Sequence, residues 1–329
     1  MDHEVPIDDK NVYFTDTAPV SKTHLACVDN ANSKVLLVNL KLDFAVPTST
    51  TSNPWGVASV SDDRVAVTLP AEKKIQFFNV YNNRLVEDYT ITVSGNCRGI
   101  ACLENQLLVS YVGSPNSVQM MDMEGQVVRN ILRTNGDVVL KAPAFLSHCS
   151  ATNTLYIADV QTNFITSVCL DTDEYSSFSV GHVLHSIGGL AVDGNDKAYV
   201  TDWVSDKVYQ VDVKSKDIIL KLSSRNELAC PRGISFQHKE KTSQVFIAKK
   251  NTIQVFKETE MVGVTSATNL HGSAEQLRSD QDDTQDNRSN YWPDLKLQEL
   301  DLTGTCGEQY KTDQVYHYWP NLSLQELVC

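Results

Sequence analysis

Two carboxylates and two imidazoles are the first residues of this chain to weigh for chemistry. Asp159 and Asp202 each close a short apolar run, Ile157-Ala158-Asp159 and Val200-Thr201-Asp202, and paired carboxylates are what general acid–base catalysis uses. His182 and His185 lie three positions apart, near enough in sequence to raise a metal pair. The bland readings are stronger. The two aspartates stand at the same place in a repeating unit, which favours a strand-end hydrogen bond made inside each unit. A pair of histidines in a loop is more often solvated or bonded to backbone, and the same holds for His24 and His148 near strand starts.

Other constellations are weaker. Gly-x-Ser-x-Gly is absent, and no local Ser-His-Asp or Cys-His arrangement stands out. Ser94-Gly95-Asn96-Cys97-Arg98-Gly99 has two glycines but precedes a strand rather than a helix, so it is no phosphate loop. The eight cysteines (27, 97, 102, 149, 169, 230, 306, 329) form no Cys-x-x-Cys pair and have no histidine at zinc-finger spacing. Cys27, Cys97, Cys102, Cys149 and Cys169 read as small buried hydrophobes. Neither catalytic residue, metal nor cofactor is expected.

The elements that must position these residues come from a unit of about 44 residues. Its lead-ins are Pro54-Trp55-Gly56-Val57-Ala58, Cys97-Arg98-Gly99-Ile100-Ala101, Pro143-Ala144-Phe145-Leu146-Ser147, Ile187-Gly188-Gly189-Leu190-Ala191 and Pro231-Arg232-Gly233-Ile234-Ser235. Their third residues are spaced by 43, 46, 44 and 44 positions. Within a copy, β-branched and aromatic residues alternate with period two between turn residues, which predicts four short antiparallel strands. Four strands per copy of this length make one blade of a β-propeller, and blades must stack in a ring to cover their apolar faces.

Six blades are predicted over residues 11–258, after an N-terminal arm of 1–10. His24 to Asn39 supplies the start of a first blade that looks degenerate, about 11 residues short of a full unit. The last copy lacks a fourth strand, which Val12 to Thr15 is expected to supply. The channel-facing lead-in positions Gly56, Gly99, Phe145, Gly189 and Gly233, flanked by Trp55, Arg98, Ala144, Gly188 and Arg232, hold neither carboxylate nor imidazole. A channel metal is therefore not expected.

Residues 259–329 depart from the period. They hold 4 Lys/Arg against 12 Asp/Glu, and the Ser-, Gln-, Asp- and Asn-rich stretch 273–290 predicts low order. Beyond it Tyr291-Trp292-Pro293 and Tyr318-Trp319-Pro320 each open a YWPxLxLQEL segment, repeated at an offset of 27. Tyr291, Trp292, Tyr318 and Trp319 are tail docking candidates, since linked weak motifs raise effective affinity. A simple duplication, or a non-homologous end, is the plainer explanation.

The Pro-x-Gly-Val/Ile-Ala/Ser lead-ins, with Ala158-Asp159, Thr201-Asp202 and Lys207-Val208-Tyr209-Gln210-Val211, resemble NHL repeats. The span 11–258 resembles the C-terminal propeller of tripartite-motif (TRIM) NHL proteins. That family's RING finger, B-box and coiled coil have no counterpart in this sequence. The resemblance implies a module that recruits a protein substrate or RNA without ligase activity of its own, with a link to ubiquitin pathways.

Loops carry function on a rigid ring. The repeat register gathers Trp55, Lys73, Arg98, Tyr111, Phe164, Trp203, Arg232, Lys249 and Lys250 on one face, and aromatic and arginine residues are favoured anchors. Trp55 could equally pack between blades, and Lys249 and Lys250 could be solvated turn residues. A protein or peptide ligand is the first expectation; single-stranded or hairpin RNA is the alternative, and a propeller hydrolase or lyase a distant third. The net charge of −13 argues against DNA or an anionic membrane. The first residues lack a signal-peptide pattern and no apolar run reaches membrane length, so a cytoplasmic protein is expected.

Overall fold

The computed structural model describes residues 3–6, 12–113, 116–133, 140–237, 243–249 and 252–257. These form six four-stranded antiparallel sheets, the blades of a six-bladed β-propeller. The closing strand β1 is His3–Pro6. Blade 1 is β2 (Phe14–Ser21), β3 (His24–Asp29), β4 (Lys34–Asn39) and β5 (Phe44–Ser49); blade 2 is β6 (Val57–Ser61), β7 (Arg64–Leu69), β8 (Lys74–Tyr81) and β9 (Arg84–Thr92). Blade 3 is β10 (Cys97–Leu103), β11 (Gln106–Tyr111), β12 (Ser117–Asp122) and β13 (Val127–Arg133). Blade 4 is β14 (Pro143–Cys149), β15 (Thr154–Asp159), β16 (Phe164–Cys169) and β17 (Tyr175–Ser179). Blade 5 is β18 (Ile187–Val192), β19 (Ala198–Asp202), β20 (Lys207–Asp212) and β21 (Asp217–Leu222), and β22 (Pro231–Gln237), β23 (Gln244–Lys249) and β24 (Thr252–Lys257) join β1 as blade 6.

Period two explains how a single strand serves two interfaces. Along β15, Leu155 and Ile157 pack toward blade 3, whereas Tyr156 and Ala158 pack toward blade 5. β3 divides the same way, Leu25 and Cys27 toward blade 6 and Ala26 and Val28 toward blade 2. Six apolar clusters result, one in each gap between successive blades. A blade removed from the ring would expose both faces, so the core is a property of the closed circle.

Two expectations are corrected. The first blade is complete rather than degenerate, because its inner strand is Phe14–Ser21. Its bulge pairs Phe14 with Asp29 and Asp16 with Val28, as Pro143 pairs with Asp159 and Phe145 with Ala158 in blade 4. Thr15-Asp16 thus fills the place of Trp55-Gly56. Val12 to Thr15 therefore does not supply the closing strand; His3–Pro6 does, antiparallel to β24 from His3↔Val255 to Pro6↔Thr252. The tail from 259 to 329 lies outside the described residues.

Glycine is required at a lead-in because the next blade's backbone runs against it. A Cβ at Gly56 would stand 2.6 Å from the Arg98 carbonyl oxygen, with Thr68 Oγ1 at 3.3 Å. Gly56→Ala is expected to cost roughly 3 kcal/mol by forced displacement in a packed core. Gly181→Ala, whose nearest obstacle is the Asn163 side chain at 3.3 Å, should cost under about 1 kcal/mol. Equilibrium urea unfolding of both variants checks this; equal losses would remove the close-approach explanation.

Candidate functional site on the lead-in face

Four of the six lead-ins are tied to the preceding blade by a hydroxyl. Thr68 Oγ1 donates to the Arg98 carbonyl at 2.7 Å, Ser110 Oγ to that of Pro143 at 2.7 Å and Thr201 Oγ1 to that of Arg232 at 2.7 Å. The Thr15 hydroxyl donates to the Trp55 carbonyl at 2.6 Å. Where such a bond forms, the lead-in backbone is fixed, and side-chain direction follows. The second residues of the six lead-ins are Thr15, Trp55, Arg98, Ala144, Gly188 and Arg232.

Trp55 starts in blade 2, yet its indole Nε1 donates to the carbonyl of Ala144 in blade 4 at 3.2 Å. Reaching a non-adjacent blade takes the ring across the propeller axis. Phe145 meets it with centroids 6.2 Å apart, and the Arg98 guanidinium from blade 3 lies 4.1 Å from its centroid. Both Trp55 and Arg98 are buried. Burial lowers the Arg98 pKa to about 10, so the side chain stays a cation held over an aromatic face. Trp55, Arg98 and Phe145 thus form one buried cluster drawn from blades 2, 3 and 4.

A second arginine sits beside this cluster. The Arg232 guanidinium lies 3.8 Å from the Tyr13 ring centroid and 4.2 Å from that of Trp203, and its Nη1 donates to Tyr13 Oη at 2.6 Å. Trp203 is anchored by donating Nε1–H to Ser186 Oγ at 2.8 Å. Unlike Arg98, Arg232 and Trp203 are only half-buried.

The remaining candidates separate by position. Phe164 (39% exposed) and Lys73 are open to solvent. Tyr111 is buried, and its ring would lie 3.2 Å from a Cβ at Gly95. Burial also raises the Tyr111 pKa. Lys249 is buried too, donating from Nζ to the Glu227 carbonyl at 2.5 Å, so it is a clamp on the blade 6 lead-in rather than a solvated turn residue. Lys250, Tyr291, Trp292, Tyr318 and Trp319 lie outside the described residues.

The carboxylates first weighed for chemistry do structural work. Asp159 accepts from the N–H groups of Lys141 and Ala142 through Oδ2, and of Gln161 and Thr162 through Oδ1. Asp202 accepts from the backbone of His185, Ser186, Val204 and Ser205 and from the Ser205 hydroxyl. Burial would raise the Asp202 pKa, but these bonds and the nearby His185 imidazole hold it below its usual value. His185 Nδ1 lies 3.4 Å from Asp202 Oδ2, which raises the histidine, while His182 packs edge-on to Phe178. The two histidines thus serve different neighbours. Among the described residues no group of three His, Cys, Asp or Glu is placed to hold a metal ion.

Sequence reasoning missed Tyr13 and Asp16. Both belong to the lead-in of blade 1, and the available signal was its distance of 40 positions from Gly56. Asp16 corrects the expectation that the inner lead-in positions hold no carboxylate. Its Oδ2 accepts from the Val57 N–H of blade 2 at 3.0 Å and its Oδ1 from Thr17 N–H at 2.9 Å. The residue as a whole is half-buried, yet burial of the carboxyl pushes its pKa up to about 7 against those two bonds, which lower it.

A raised carboxyl pKa means the folded state binds more protons than the unfolded chain, between about 4 and the folded value. Stability should therefore fall as pH rises from about 4 to about 7. Asp16→Asn should lack that part of the slope when thermal midpoints are measured from pH 5 to 8. Parallel profiles for the two proteins would place the proton elsewhere.

No protein-family profile matches the chain, and no curated protein matches it. Solved structures do. A chain of a nidogen/laminin complex aligns at TM-score 0.59 and 13% identity, over 71% of this chain and 98% of that one. A streptogramin B lyase aligns at 0.55 and 13%, over 78% and 98%. A Bacteroides thetaiotaomicron protein of unknown function aligns at 0.59 and 13%, over 78% and 72%. At these identities the likeness is one of fold: an all-β, six-bladed propeller that serves both binding proteins and a lyase.

Proposed function

We propose that this chain is a non-catalytic interaction propeller that holds a protein or peptide segment on its lead-in face. In this reading the ring, closed by His3–Pro6, acts like the NHL propeller of a tripartite-motif protein, recruiting a substrate in the cytoplasm for a ligase. The tail from 259 onward, with its repeated YWPxLxLQEL segment, would add a second point of attachment. One observation carries the reading: Arg232 and Trp203 stand half-open on a rigid backbone at the end of the ring where Phe164 and Lys73 are also exposed. Rigid aromatic and arginine anchors suit a bound segment lying across the face. The nidogen neighbour comes from a protein–protein complex, which is in keeping with such a use of the fold.

Against catalysis, the aspartates at strand ends are engaged by backbone N–H groups, leaving no free pair for proton transfer at those sites. The RNA reading draws on the same arginine–aromatic stack, since bases also stack on such platforms. A phosphate track needs several open cations, and Arg98 and Lys249 are buried.

A photo-crosslinking side chain at Phe164 or Lys73, compared with Leu42 or Tyr81 at the opposite end of the ring, tests the reading in cells. Discrete nuclease-resistant protein adducts from the first pair alone are expected. Equal adducts from both pairs would remove the assignment of the face, and nuclease-sensitive adducts would turn it to RNA.

A further inference from the structure

The ring contains two arginines in the same aromatic setting, and they differ in one respect. Arg64 lies 5.0 Å from the Phe77 centroid and 4.8 Å from that of Tyr89, and its Nη2 is paired with Asp88 at 2.6 Å. Arg232 lies closer to its two rings, 3.8 Å from Tyr13 and 4.2 Å from Trp203. Among the described residues it has no carboxylate partner, whereas Arg64, Lys74, Arg129, His185, Lys197 and Lys214 each have one. The neighbouring Asp202 is already surrounded by four backbone N–H groups and a hydroxyl.

We propose that Arg232, held between Tyr13 and Trp203, is the seat for a carboxylate of an acidic peptide bound on the lead-in face. The proposal rests on the face reading above and names the chemistry it selects. A guanidinium is a planar fork of five N–H donors suited to bidentate carboxylate binding. Only Nη1 is engaged, by Tyr13 Oη. The two rings and that bond fix the fork, so less side-chain freedom is lost when a ligand arrives. The backbone beneath is equally fixed, because the Arg232 carbonyl accepts from Thr201 Oγ1 at 2.7 Å.

Charge selects an acidic peptide over a nucleic acid. One half-open guanidinium complements one carboxylate, whereas a polyphosphate strand gains from a row of open cations, and Arg98 and Lys249, which would extend such a row, are buried.

The test uses the full chain and fluorescein-labelled Gly/Ser decapeptides carrying two central Glu or two central Gln, read by anisotropy near 50 mM salt. The Glu peptide should bind about tenfold tighter than the Gln peptide. Arg232→Gln should abolish the difference, and Arg232→Lys should retain only part of it, because an ammonium cannot form the fork. Thermal midpoints within a few degrees of the parent certify the variants, and the wild-type comparison of the two peptides needs no variant at all. Free-acid and amidated C-termini on the Gln peptide distinguish a terminal from a side-chain carboxylate. Equal affinity for the Glu and Gln peptides, a Glu preference that survives both substitutions, or a uridine decanucleotide that binds tighter than the Glu peptide would each overturn the proposal. Protein adducts from Phe164 without any Glu preference would leave the face standing and remove the carboxylate seat.

Discussion

Everything in this molecule hangs on how closely one lead-in lies against the next. A glycine in one blade faces a backbone carbonyl of the following blade, at Gly56 against Arg98 and at Gly99 against Ala144. Buried carbonyls need donors: Thr68 and Thr201, on the preceding blade's second strand, supply the Arg98 and Arg232 carbonyls, and the Trp55 indole supplies that of Ala144. A missing side chain thus creates the approach and a small hydroxyl satisfies it. Where the glycine is replaced, the substitute takes another task. Phe145 meets Trp55 across the axis, and Asp16 accepts the Val57 N–H of blade 2.

In five of the six blades the last position of the second strand works on the other side of the same lead-in. Asp29, Asp159 and Asp202 occupy it in blades 1, 4 and 5, each accepting N–H groups from the segment that leads into its own blade. Lys249 holds the same position in blade 6 with reversed polarity, donating to a carbonyl of that segment. Tyr111 does so in blade 3 through its ring, against Gly95. Three chemistries therefore perform one mechanical function. This is why carboxylates recurring at equal spacing do not imply acid–base catalysis: their lone pairs are already taken by backbone amides.

The period exposed most of the fold to inspection of the sequence, because a blade cannot hide its two apolar faces unless each strand alternates. The role of Asp159 and Asp202 followed from the same recurrence. The first blade was obscured because Phe14-Thr15-Asp16 carries neither the proline nor the glycine of the other lead-ins, while its register matches theirs. Tyr13 was hidden with it. Trp55 was legible as an axis-side residue, but nothing in a nearest-neighbour repeat says that its indole reaches a carbonyl two blades on. Lys249 and Lys250 read alike in sequence; only the strand register shows that Lys249 points inward at Glu227.

Trp55 and Arg98 are committed to contacts within the ring. Moving the indole would take it from the Ala144 carbonyl and the Phe145 ring, and would strip the buried Arg98 cation of the aromatic face on which it rests. Each loss is uncompensated in a low-dielectric site, where an exposed partner cannot be replaced by water. Arg232 bears no such obligation: the hydroxyl of Tyr13 and two rings hold it, and it reaches solvent. The same residue type at the same repeat position is thus structural in blade 3 and available in blade 6. What separates them is whether the side chain lies buried on Trp55 or half-open between Tyr13 and Trp203.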